Sequence, residues 1–128
     1  MNFQTLELPK EANYIAPDGS EIRLLLDMNG GGLSHCTLPP ERTSLAVMHK
    51  TIEEIWYFIQ GRGQVWRKLG DQENEVDTQP GICLTIPPQT HFQFRNTGSE
   101  PLCFIIATMP PWPGPQEAVK VTDHWATD

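Results

Sequence analysis

The sequence predicts an all-β domain, a sandwich or barrel of short strands. Three observations carry that prediction. Turn-forming clusters punctuate the chain roughly every eight to twelve residues, the spacing typical of strands in such folds. Twelve prolines and ten glycines among 128 residues suit a turn-rich β domain better than a helical one. No stretch reads as a helix of useful length, an internal repeat or a linker. At this length the chain forms one domain around one core.

The elements follow in order. Asn2 to Leu8 alternates weakly and suits an edge strand or an arm reaching onto a partner subunit. Pro17-Asp18-Gly19 is a turn, with proline presetting φ and glycine accepting a positive one. Ile22 to Asp27 is a strand, Asn29 to Gly32 a flexible connection, and Leu33 to Leu38 a second strand stopped by Pro39-Pro40. Ser44 to His49 and Glu53 to Gln60 are strands joined by a short corner, and Gly61-x-Gly63 closes the second of them. Gln64 to Leu69, a short strand near Val76, and Ile82 to Ile86 continue the pattern, the last stopped by Pro87-Pro88. Leu102 to Thr108 is apolar enough for a buried closing strand. The core barrel spans about residues 20–108, after an N-terminal arm of residues 1–19. The tail, residues 109–128, carries four prolines around Trp112; it is expected to run extended over the outside of the barrel with Trp112 as its anchor.

Charge and cysteine usage narrow the partners. A net charge of −7 with no basic cluster argues against nucleic acid. No run is apolar enough to cross a membrane and the first residues are too polar for a signal peptide, so a soluble, cytoplasmic protein is expected. Cys36, Cys83 and Cys103 have no metal-like spacing and read as small core residues in a reducing compartment.

The chemistry concentrates between Leu45 and Gly63. His49 ends one strand and Glu53 and Glu54 begin the next, so an imidazole and a carboxylate meet at a turn. Alternation puts Glu54, Trp56, Phe58 and Gln60 on one face and Glu53, Ile55, Tyr57 and Ile59 on the other. A carboxylate opening a buried strand needs a partner, either His49 or a metal held by both.

This segment resembles the first motif of the cupin superfamily, in which a glycine lies seven residues after a glutamate and a His-x-His pair lies just before it. Glu54 and Gly61 match, His49 falls at the second histidine, and Val47 stands at the first. Gly81 to Asn96 resembles the second motif, with Gly81 and Pro87 at the family's spacing. Counted without a gap, the ligand position of that motif falls on Phe92; with a turn one residue shorter it falls on His91. The shorter turn is preferred, because it sets His91, Gln93 and Arg95 together as a polar cavity lining opposite Phe92 and Phe94.

The resemblance implies a single jelly-roll barrel and a homodimer. It implies one divalent transition metal (Fe, Mn, Ni or Zn) held by His49, Glu54 and His91. His35, on the same strand face as Leu33 and Thr37, is the candidate replacement for the missing ligand. Glu53, His35 and Gln93 are candidates for proton handling or orientation, and Trp56, Gln64, Trp66 and Arg95 for substrate contacts. The function expected is a metal-dependent enzyme acting on a small organic molecule, as an oxygenase, isomerase or lyase. The alternative is a metal-free barrel that binds a sugar or small acid without chemistry. A metal-free epimerase using a His base and a Tyr acid would need Tyr57, whose strand parity is opposite to that of Glu54.

Overall fold

The structure, a computed structural model, describes residues 2–127. Eleven strands are formed among them: β1 (Tyr14–Ile15), β2 (Glu21–Met28), β3 (Gly31–Leu38), β4 (Val47–His49), β5 (Glu53–Gln60), β6 (Gly63–Leu69), β7 (Gln72–Thr78), β8 (Cys83–Ile86), β9 (His91–Asn96), β10 (Leu102–Met109) and β11 (Ala118–Lys120). They make two antiparallel sheets, one of six strands in the order β1-β2-β3-β10-β5-β8 and one of five in the order β11-β4-β9-β6-β7. The only helical turn among the described residues is the 3-10 turn Pro115–Glu117.

The inward residues of β5, β9 and β10 meet in an aromatic core. Trp56, Phe58, Phe92, Phe94 and Phe104 are all essentially inaccessible to solvent. The Trp56 and Phe104 rings lie 4.6 Å apart, and Phe92 and Phe94 meet Trp56 edge-on at 5.3 and 5.5 Å, the arrangement favoured by ring quadrupoles. Leu38, Val65, Leu84, Ile86 and Leu102 extend this core along the barrel.

The Gly-x-Gly closure has a steric basis. Gly61 sits at φ 81°, where a side chain is strained, and a Cβ there would lie 2.5 Å from the Pro101 carbonyl oxygen. A Cβ on Gly63 would lie 2.5 Å from the Arg95 carbonyl oxygen. Glycine at both positions lets β5 turn into β6 while β9 and β10 pass against the corner.

The ends depart from expectation. Residues 2–13 form no strand; they run as an arm tied down by Arg23, which donates to the Pro9 and Lys10 carbonyls. The tail does not stay outside the sheet, since Ala118–Lys120 pairs with β4 as an edge strand, the position at which a segment rich in proline nearby can still join a ladder. Beyond it, Gln93 accepts from the His124 and Trp125 backbone N–H groups and donates to the Trp125 carbonyl. Cys36 and Cys103 are buried as expected, but Cys83 is exposed, because its position on β8 points it away from the core.

Candidate functional site

A cavity of about 160 Å³ opens between the two sheets, and β4, β5, β9 and β10 supply its inner end. Two polar side chains from the first motif point into it. His49 comes from the end of β4 and Glu54 from the start of β5; each is at most 7% exposed. Glu117 fixes the corner between them, accepting from the Thr51 and Ile52 N–H groups and the Thr51 hydroxyl. No sequence signal marks Glu117, since its partner lies 66 residues earlier in the chain.

Glu54 lies in an apolar setting with two donors aimed at it. The Trp56 indole N–H donates to Oε1 at 3.0 Å and the Thr108 hydroxyl to Oε2 at 2.7 Å. Burial pushes its pKa up to about 7; the bonds from Thr108 and Trp56 oppose that shift and the nearby Asp18 adds to it. Burial also drives His49 down to about 4, with the Glu117 charge opposing. His49 Nδ1 lies 3.8 Å from Glu54 Oε1, too far for a hydrogen bond, and has no other partner. A neutral imidazole beside an elevated carboxyl describes the pair better than an ion pair does.

The expected third ligand lies elsewhere. Phe92 pairs with Val47 across the sheet and faces the cavity, meeting the His49 ring edge-on at 5.0 Å. His91 pairs with Met48 and therefore points to the outer surface. The ungapped reading of the second motif is the right one, and the choice of His91 is corrected by a single residue, which reverses every side chain of β9. His35 is likewise corrected: it pairs with Ile105 and Arg23 on the outer face of the six-stranded sheet, where its Nδ1 is buried without a partner. Trp112, expected as an outer anchor, instead lines the cavity and meets His49 edge-on at 5.2 Å.

The other candidates divide between cavity and surface. Trp56 is cavity wall. Gln64, Trp66, Gln93 and Arg95 lie on the outer face of the five-stranded sheet, which the tail covers. Trp66 stacks on His124 with ring centroids 4.8 Å apart, the Arg95 guanidinium lies 4.3 Å over the Trp125 ring, and Gln64 accepts from Arg95. Gln93 also donates to the Ser44 carbonyl, so its amide is fully committed to holding the tail. Glu53 is exposed on the outer face of β5, the face that also carries Ile55 and Tyr57.

The donor set does not fit a resident metal. Of the four side chains at the motif positions, Val47 and Phe92 offer none, and only His49 and Glu54 remain. Divalent transition metals in protein sites generally take three or more protein ligands. Among the described residues no cluster of three or more His, Cys, Asp or Glu side chains is arranged to hold an ion.

Two antiparallel sheets enclosing a cavity with motif residues at its inner end define a small β-barrel protein of the double-stranded β-helix class. The family model for the cupin domain matches residues 34–108, and the chain belongs to that family. It is 34% identical over 117 residues to an uncharacterised protein of Methanocaldococcus jannaschii, covering 88% of this chain and 90% of that one. Among solved structures it resembles an uncharacterised conserved protein with a double-stranded β-helix domain from Klebsiella pneumoniae, with TM-score 0.72, 14% identity and coverage of 95% and 100%. It also resembles the oxalate decarboxylase of Bacillus subtilis, a protein with Mn(II) centres, with TM-score 0.69 and 17% identity, covering 88% of this chain and 30% of that one. This chain thus spans less than a third of that enzyme, and at such identity the likeness is one of fold. No described helix is long and apolar enough to cross a membrane.

Proposed function

We propose that this cupin is a small-molecule-binding barrel that works without a resident metal, holding its ligand against Glu54 and His49. The observation that carries the reading is the pairing of Val47 with Phe92 where two further ligands would stand: it closes the coordination shell with hydrocarbon and leaves a largely apolar cavity. A preformed, mostly apolar concavity with a few convergent polar groups is the usual form of a small-molecule site. Leu24 lines the mouth of the cavity yet is exposed, so Leu24→Trp plugs the entrance without overpacking the core. Ligand-observed NMR with a library of single-ring fragments is expected to show binders to the parent protein that Leu24→Trp loses while its melting temperature holds. Equal binding by both proteins would place the ligand elsewhere.

We further propose that the barrel is a homodimer through the outer face of the six-stranded sheet. Leu33, Ile55, Tyr57 and Ile59 are all at least 42% exposed there, and Ala107 and Ile105 join them across β10. The tail covers the other sheet; on this one the arm is held at Arg23 near β2, while Ile55, Tyr57 and Ile59 on β5 stay exposed. A contiguous apolar patch of this kind is uncommon on a monomer. Sedimentation velocity is expected to give a dimer for the parent and a monomer for Tyr57→Glu, whereas a monomeric parent would rule the interface out.

A further inference from the structure

The cavity's charge and ring content assign a ligand class. Its lining includes three acids, Asp18, Asp27 and Glu54, and no lysine or arginine. A carboxylate or phosphate entering it would find no cation to offset its charge, a burial that costs far more than a paired one, whereas an entering cation would favour the ionised forms of Glu54 and Asp18 that burial otherwise disfavours. Six aromatic side chains also line it: Tyr14, Trp56, Phe92, Phe94, Phe104 and Trp112. The faces of such rings are electronegative and attract cations, most strongly when water is excluded.

The inner end supplies a second, independent sign. His49 Nδ1 is buried without a partner, on a side chain 9% exposed, and faces Glu54 Oε1 across 3.8 Å. A buried polar atom of this kind calls for a partner the protein itself does not provide. A group with several N–H hydrogens, placed to one side of the pair so that it reaches both atoms, satisfies the Glu54 carboxylate and the imidazole nitrogen together, whereas an anionic group would have no donor from either.

We propose that the cavity selects a small organic cation, a primary ammonium on an apolar or aromatic body about the size of one substituted ring, and rejects carboxylates. The inference rests on the metal-free binding reading and narrows it. It also separates this chain from a barrel built for sugars, which need many polar partners, or for small acids.

Three probes of nearly equal size and different charge test it. Benzylamine, benzyl alcohol and benzoate are titrated calorimetrically into the full chain at neutral pH. Benzylamine is expected to bind about tenfold more tightly than benzyl alcohol, the gain of a charge-assisted over a neutral hydrogen bond, with no measurable heat from benzoate. Glu54→Gln is expected to bring the amine down to the affinity of the alcohol. Asp27→Asn, at an exposed position on the rim, is expected to give a smaller loss of the same sign and keeps the test open if Glu54→Gln does not fold. Equal affinity for amine and alcohol, or tightest binding of benzoate, would overturn the charge selection while leaving the binding reading in place. Failure of all three to bind a folded parent would overturn the binding reading together with this inference.

Discussion

At the scale of single residues, the site rests on two groups whose burial acts in opposite senses. Glu54 is raised from its ordinary 4.5 to about 7, so the folded state keeps a proton that the unfolded chain loses. Its contribution to stability is fully present below 4.5 and is lost as the pH rises through about 7. His49 is lowered from 6.5 to about 4, so its contribution is present above 6.5 and is lost as the pH falls through about 4. Between 4.5 and 6.5 the two slopes oppose each other, and the parent's urea midpoint is expected to be nearly flat there. Glu54→Gln should unmask a stability that rises with pH across that window, and His49→Asn one that falls, each by up to about 3 kcal/mol. Two variants with the same slope as the parent would mean that neither group is shifted by burial. That this pair meets at a turn was legible in the sequence, because strand ends and parity fix both side chains. That Thr108 and Trp112 complete their surroundings was not, since those contacts depend on the β5–β10 register and on where the tail passes.

At the scale of elements, β9 and the tail explain one another. The one-residue choice on β9 decides whether His91, Gln93 and Arg95 or Phe92 and Phe94 enter the barrel, and pattern alone allowed either, since both faces of this strand are largely buried. Gln93 and Arg95 are covered not by a cavity but by the segment through His124 and Trp125, a long-range contact invisible in local sequence. Gln93 is the clasp, and Gln93→Ala is expected to lower stability by about 2 kcal/mol by stranding the Ser44 carbonyl and the tail N–H groups. Hydrogen exchange read by mass spectrometry should then show faster exchange confined to residues 121–127 and the adjoining face of β9. Unchanged exchange in the tail would mean that its bonds to Ala46 and Glu75 and the ring stacks on Trp66 and Arg95 hold it without Gln93.

At the scale of the whole molecule, the all-β class, the barrel limits and most strands followed from turn spacing and alternation, because those signals are local and repeated. The arm and tail followed less well: residues 2–13 lack a strand partner within the chain, and β11 finds one only through its return past β4. The fold then sets the question of function, since a barrel of this family brings four positions to one end and chemistry depends on what stands at each. Here two are a donor pair and two are hydrocarbon. Hydrocarbon at Val47 and Phe92, where two further ligands would stand, rather than any change of fold, is therefore what we propose leaves this barrel without a resident metal. The measurement that tests it most directly is elemental analysis of the untagged parent, purified without chelator and then incubated with Mn, Fe, Ni or Zn and desalted, beside the Val47→His, Phe92→His double variant. Far less than stoichiometric metal is expected in the parent and near-stoichiometric metal in the rebuilt four-donor variant. Stoichiometric metal in the parent, removed by His49→Ala, would contradict it.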